Sequence, residues 1–237
     1  MAGSRSRAGR DGRRYLQSSH CAWHRCNGRW RIALWPGVRC CRVQRRAALF
    51  AAPPSSTHRS LPVKRSPLHE AIVEVLHQGE SLLDSLNAED YTRKVPAVFS
   101  STVGGHYRHC LDHFQSLLQG LDADEINYDY RERNPRIETD RAFALAETNR
   151  ILRAFGSISK QFLDCPIKVR SKVNYELDTA PLIGSTVGRE LMYAVAHAIH
   201  HYALIAVMCR ILDVAVPAGF GVAPSTLKYH AEQPKAA

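Results

Sequence analysis

Two histidines in an otherwise apolar stretch are the residues best suited to chemistry. Residues 191–209 read LMYAVAHAIHHYALIAVMC and carry no Asp, Glu, Lys or Arg. His197 and His201 are four residues apart, so on a helix both imidazoles project from one face and can chelate a single metal ion. His200 lies about 100° from His201 around the helix and is the weaker candidate.

A third ligand has to come from a facing helix, and residues 101–114, STVGGHYRHCLDHF, offer three more histidines. At 100° per residue, His106 lies about 60° and His113 about 80° from the centre of the apolar seam of that helix. His109 falls nearly opposite the seam. The spacing therefore predicts His106 as the third ligand, followed by His113.

A metal ion explains the buried imidazoles better than separate hydrogen bonds do. Three imidazoles in an apolar interior cost free energy unless each has a partner, and one divalent ion satisfies all three. The alternative is that each histidine is an ordinary core residue with a single hydrogen bond. Three neutral His ligands leave an open coordination position, which is typical of catalytic sites. Imidazole suits zinc, which we predict, and also nickel, iron and copper.

Glu190 is the candidate catalytic residue, because it lies two turns before His197 on the same helix face and could orient a ligand or move a proton. The competing interpretation is an acidic residue that the helix dipole favours in the first turn. Residues 122–138 are predicted to form the open end of the site. Their arginines are compatible with an anionic substrate group and equally with a solvated loop.

Four helices are predicted to position these residues. From apolar spacing and capping residues we place the helices at 67–86, 101–120, 139–155 and 185–212. Short alternating runs in residues 165–184 predict a hairpin or an extended crossover. The predicted fold class is all-α, a four-helix bundle with one long crossover. On the second helix, Arg108 and Asp112 are assigned to the outward side.

The basic charge of the chain is concentrated in its first 65 residues. Residues 1–65 hold 15 of the 32 Lys and Arg but one acidic residue, which leaves residues 66–237 with a net charge of −4. The charge of the whole chain is therefore no argument for nucleic acid as a partner. We predict that 1–65 is a disordered Arg-rich extension, either a targeting segment, a basic arm or translation upstream of the true start. Residues 66–237 form the bundle.

The cysteines and the apolar stretch of the chain bear on its cellular location and on whether it spans a membrane. The seven cysteines include no CxxC pair, which predicts a reducing, cytoplasmic location, or an organellar one if residues 1–65 are a transit peptide. A membrane span over 191–209 is disfavoured, because it would put three imidazoles in mid-bilayer. The predicted partner is a small-molecule substrate, with a homodimer as an option, and neither nucleic acid nor a membrane span is expected.

The motif STVGGHYRHCLDHF, followed about ninety residues later by HAIHH, resembles the DinB-like superfamily of metal-binding four-helix bundles. The resemblance covers about residues 67–230 and includes REL at 189–191. It implies that His106, after two glycines, joins His197 and His201 as a metal ligand. One departure is His109, which stands where many members have an aromatic residue.

The resemblance implies two kinds of function. The superfamily includes YfiT-type hydrolases and several thiol transferases, so the expected function is a divalent-metal-dependent hydrolase or thiol (S-) transferase, the latter with a low-molecular-weight thiol. The alternative is a non-catalytic metal-binding or stress-related bundle. A third hypothesis, that the imidazoles are core groups and the basic extension binds nucleic acid, comes from the charge distribution.

Overall fold

The described part of the chain is mostly helical and contains two separate small β-sheets. The computed structural model describes residues 23–26, 29–32, 66–156, 158, 160–176 and 178–233. In chain order the described elements are β1 (Trp23–Cys26), β2 (Arg29–Ile32), α1 (Pro67–Ser85), α2 (Ala88–Thr92), α3 (Val103–Ala123), β3 (Glu125–Asn127), α4 (Pro135–Thr139), α5 (Arg141–Gly156), a 3-10 turn (Lys160–Phe162), β4 (Pro166–Arg170), β5 (Leu182–Thr186), α6 (Val187–Ile211) and α7 (Pro224–Glu232).

Strands β1 and β2 pair antiparallel within the segment that the sequence predicted to lack regular structure. Trp23 is opposite Ile32 and Cys26 is opposite Arg29. The intervening Asn-Gly dipeptide is the one that two-residue hairpin turns favour, a local signal that the prediction did not use. The other residues of 1–65 lie outside the described residues, so the disorder predicted for them stays a prediction.

Helices α1, α3, α5 and α6 form a four-helix bundle, in which α3 and α6 pack most extensively and α1 and α5 complete the ring. Local capping explains where they begin. The hydroxyls of Ser66, Thr102 and Thr186 accept from the backbone N–H three residues later, which satisfies one free donor of α1, α3 and α6 respectively. The four predicted helices and the all-α class are confirmed.

The predicted end of the second helix is wrong. Helix α3 continues through Gly120 to Ala123 and ends at Asp124, which adopts the left-handed conformation at φ 60°. Gly120 is buried because Ile126 of β3 packs against it, at a place where a side chain would collide. Its role is to permit that close approach, and it does not terminate the helix.

A three-stranded sheet links the end of α3 to the start of α6. β4 and β5 form the predicted hairpin, with Pro166 opposite Thr186 and Arg170 opposite Leu182. β3 adds a parallel strand on the other side of β4, a long-range pairing that local alternation does not signal. The start of β3 and the end of β5 lie at the same end of the sheet, so α3 ends where α6 begins. The two helices therefore run antiparallel.

Helix α6 is the most apolar element of the bundle. Within the described residues it is the one helix long and apolar enough to cross a membrane, by length and composition alone. Leu191, Ala194, Ala198 and Tyr202 are fully or almost fully buried along its inner face. The expectation that α6 is not a membrane span came from its histidines and stays a prediction.

Candidate metal centre

Histidines from two antiparallel helices meet in one cluster. On α3, His106, His109 and His113 follow each other at i, i+3 and i+7, and therefore lie in one row. On α6, His197 and His201 lie one turn apart. The centroids of the His109 and His201 rings are 4.6 Å apart, and those of His113 and His197 are 4.0 Å apart.

Three of these residues form a group that fits a divalent metal. One ligand nitrogen each from His109, His197 and His201 lies within 4.8 Å of the other two. Nε2 of His109 and Nε2 of His197 are 3.0 Å apart. Tetrahedral zinc with Zn–N bonds of about 2.0–2.1 Å needs ligand nitrogens about 3.3 Å apart, which is close to the separation of the His109–His197 pair. All three side chains are half-buried, which leaves one side of the group accessible.

His106, the predicted third ligand, lies beside this group. Its Nδ1 is 3.0 Å from Nδ1 of His201. Its Nε2 is buried and has no hydrogen-bond partner in the described part of the chain. The ligand set His106, His197 and His201 therefore stays a prediction, and His109 is the competing third ligand.

The prediction placed His109 nearly opposite the apolar seam and passed it over as a ligand, whereas its ring lies against those of His197 and His201. It took the apolar seam as the only buried face of α3, but α6 covers a second face, which carries the three histidines. The i, i+3, i+7 spacing was the signal that could have found this face. His200, the weaker ligand candidate, is exposed and stands outside the three-nitrogen group.

Arg108 and Asp112 are also not on an outward face. Asp112 is 2% exposed and accepts from Nη1 of Arg108 at 3.1 Å. Nε of the same arginine donates to Glu138 of α4 at 3.1 Å. The connection that contains α4 packs over this side of α3, a long-range contact that the helical period does not reveal. Burial raises the pKa of the Asp112 carboxyl and the neighbouring Arg108 opposes that shift.

His113 is the most deeply buried of the five histidines, at 4% exposure. Its ring stacks on Tyr128 at 5.1 Å between centroids. Its Nε2 accepts from Nη1 of Arg131 at 3.0 Å, and the same Nη1 donates to Nδ1 of His109 at 3.1 Å. Arg131, from the connection between β3 and α4, therefore touches two imidazoles. It is one of the arginines of residues 122–138, the segment predicted to form the open end of the site.

The imidazoles stay neutral at physiological pH. Burial is the largest cause, followed for His109 by the nearby Arg131 and for His201 by the neighbouring His109, and these effects lower the pKa of His109 to about 4 and that of His201 to about 3. Burial and the adjacent His200 lower the pKa of His197 to about 4. Neutral imidazole is the form that binds a metal, so the cluster needs little proton release to load one.

Both carboxylate oxygens of Glu190 are occupied. Oε1 accepts from the Ser185 hydroxyl at 2.6 Å, and Oε2 accepts from the Tyr128 hydroxyl at 2.9 Å. Since Tyr128 stacks on His113, Glu190 orients the wall of the cluster through Tyr128. Its proposed role as a catalytic residue stays a prediction.

Comparison with known proteins assigns the family. A family model for the DinB superfamily matches residues 71–205, more than half of the chain. The chain belongs to the DinB superfamily. The match includes α3 and all of α6 up to Ile205, and therefore all five clustered histidines. The resemblance seen in the sequence is confirmed, and the three-His group fits a metal-binding DinB-type protein.

One curated relative and the solved structures add little to the DinB assignment. FK506-binding protein 5 from Rhizopus delemar is 39% identical over 108 residues, which are 46% of this chain and 28% of that protein. The chain thus spans less than a third of the length of that relative. No solved structure matches the chain.

Proposed function

We propose that this DinB-superfamily protein is a divalent-metal-dependent enzyme of the hydrolase or thiol-transferase kind, with zinc as the metal. The observation that carries the proposal is the three imidazole nitrogens of His109, His197 and His201, within 4.8 Å of one another on two helices. His106 is the alternative to His109 as third ligand.

The chain supplies three neutral ligands and a partly enclosed pocket wall. His197 and His201 are one helical turn apart, so they hold their relative orientation when the bundle is folded. A divalent ion would supply Lewis acidity there, which acidifies a water molecule or a thiol. The rings of Tyr128 and Tyr193, 5.3 Å apart, cover the end of the cluster near His113.

The second candidate function is a non-catalytic metal-binding bundle. The observation that favours it is that both oxygens of Glu190 accept hydrogen bonds, from Ser185 and Tyr128, as in a residue that positions its neighbours. The two candidates differ in whether the metal keeps an open position. A catalytic centre should accept azide or a small thiol, whereas a closed centre should not.

The test measures metal content and exogenous ligand binding. Untagged protein is stripped with a chelator, reloaded with zinc or cobalt, and assayed by elemental analysis and titration calorimetry. We expect one bound ion, an affinity loss of about 100-fold or more in His197→Ala, and no change in the matched control His200→Ala. Azide should change the visible spectrum of the cobalt form.

Each outcome decides between named alternatives. Absence of metal binding by the wild type contradicts both candidate functions. Comparison of His109→Ala with His106→Ala identifies the third ligand, because the variant that loses more affinity marks it. If neither azide nor a thiol changes the visible spectrum of the cobalt form, the enzyme proposal is contradicted and the non-catalytic one is supported.

A further inference from the structure

Arg131 is a half-buried cation without a carboxylate partner. Within the described residues, no carboxylate oxygen lies within the 4.0 Å ion-pair distance of its guanidinium. Its Nε is buried and has no hydrogen-bond partner among those residues. Asp112 is the acidic residue with the largest effect on the pKa of Arg131, but its carboxylate is already paired with Arg108. A buried charge of this kind is costly unless another group compensates it.

The contacts of Arg131 determine where the protons of the cluster sit. A guanidinium only donates, so Nδ1 of His109 and Nε2 of His113 both accept from it. A neutral imidazole carries one N–H, and His109 must therefore carry it on Nε2. That N–H points at Nε2 of His197, 3.0 Å away, and donates to it.

This arrangement opposes metal binding through His109. A ligand nitrogen must have a free lone pair, so His109 can use Nε2 only after its proton moves to Nδ1. An N–H at Nδ1 would face the N–H of Arg131, and the two donors repel. A metal held by His109, His197 and His201 therefore requires Arg131 to leave His109.

We propose that Arg131, once released from His109, binds an oxyanion of the substrate, a carboxylate or a phosphate, beside the open position of the metal. The inference rests on the proposed function and specifies its substrate class. The planar guanidinium fork matches two oxygens of such a group, and the imidazoles around it are neutral and do not compete for the anion. In the metal-free protein Nη1 of Arg131 donates to the two imidazoles, and metal loading makes this guanidinium available to the anion.

The variant Arg131→Met removes the hydrogen-bond donors and the charge but keeps an unbranched side chain. Its affinities for zinc and for an anion are both expected to change. Zinc should bind this variant about 10-fold more tightly than the wild type, because nothing holds the proton of His109 on Nε2. An anion bound to the zinc-loaded protein should lose about 10- to 100-fold in affinity, as expected when a charge-assisted pair is removed.

Arg133→Met is the matched control, since Arg133 is exposed, lies two residues away and carries the same charge. The probes are acetate and inorganic phosphate, titrated separately into zinc-loaded protein, and the tighter of the two identifies the oxyanion. Circular dichroism and thermal unfolding verify that each variant is folded. We expect Arg133→Met to match the wild type in zinc affinity and anion affinity.

The outcomes separate this inference from the proposed function. If wild-type protein binds no metal, the proposed function fails. If the wild type binds zinc and an anion, and Arg131→Met binds each of them with the same affinity as Arg133→Met, the inference is wrong. The proposed metal centre is then unaffected. Failure of both acetate and phosphate to bind the loaded wild type also overturns the inference. Weaker anion binding together with tighter zinc binding in Arg131→Met supports it.

Discussion

At the scale of single residues, burial among other imidazoles makes these histidines unusually weak bases. His113 has the lowest pKa, about 2, because burial dominates and His197, His109 and Arg131 add to its effect. The same burial that keeps the imidazoles neutral means that protonation would place a second positive charge close to Arg131 in a half-buried site. The cluster therefore links acid stability to the candidate chemistry.

We predict that metal-free protein loses stability as the pH falls from 7.5 to 5. Between the unfolded pKa of about 6.5 and the folded values near 4, the unfolded chain binds protons that the folded chain does not. The free energy of unfolding therefore decreases as the pH is lowered. The effect is about 1 kcal/mol for each half-exposed imidazole, because solvent screens part of it. Urea unfolding in the presence of a chelator at several pH values measures it.

Two variants isolate the contribution of the cluster from that of the carboxylates. His197→Gln should show a smaller dependence of unfolding free energy on pH than the wild type. His230→Gln should keep the wild-type dependence, because that side chain is exposed on α7, outside the cluster. Equal pH dependence in His197→Gln and the wild type would contradict the prediction.

At the scale of secondary structure, close packing at the first turn of α3 positions the histidine row. A Cβ at Gly104 would overlap the carbonyl oxygen of Glu138 in α4 and come within 2.9 Å of the Tyr91 ring in α2. Both neighbours are held together, since the Tyr91 hydroxyl donates to the carbonyl of Ile137 at 2.6 Å. The glycine therefore lets the connection that carries Arg131 approach α3.

We predict that Gly104→Ala lowers the free energy of unfolding by about 1–3 kcal/mol, because the backbone of α4 has to move to admit the methyl group. Gly156→Ala is the matched control. It lies in the last position of α5, where an added Cβ meets nothing within 4 Å, and alanine is the better helix former. Urea unfolding of both variants is the measurement. Similar stability of Gly104→Ala and the wild type would contradict the packing described here.

At the scale of the whole molecule, the candidate metal centre cross-links two helices that are distant in the sequence. His109 of α3 and His197 of α6 are separated by 88 residues and meet only when the bundle is folded. Any ion that binds them should therefore bind the folded state and stabilise the whole bundle.

We predict that zinc at about 100 times its Kd raises the Tm by about 5–10 °C, because such binding adds about 2.7 kcal/mol of stability. Excess chelator should reverse the shift. Deletion of residues 1–65 should leave the shift and the metal content unchanged, since every residue of the candidate site lies in 106–201. Scanning calorimetry and elemental analysis of both chains are the measurements. A shift that disappears with the deletion would contradict this assignment of the site.

Elements specified by nearby residues could be predicted from the sequence, whereas elements specified by distant partners could not. Helix positions followed from apolar periodicity and capping residues, which act within a few residues, and α1, α3, α5 and α6 all formed near their predicted bounds. The HxxxH pair on α6 was equally readable, because one helical turn fixes the relation of His197 to His201. Strand β3 was missed, because its partner β4 lies about forty residues away and nothing local specifies that pairing.

The sequence by itself therefore determined the helices, the HxxxH pair on α6 and membership of the DinB superfamily. Only the tertiary structure decided which face of α3 lies against that pair, and it placed His109 and Arg131 there together with His106, the predicted third ligand. The physical reason is that a helical period reports the direction of a residue relative to its own helix. The direction that is buried depends on which neighbours pack there, and α6 and the β3–α4 connection cover a face that apolar spacing alone leaves open.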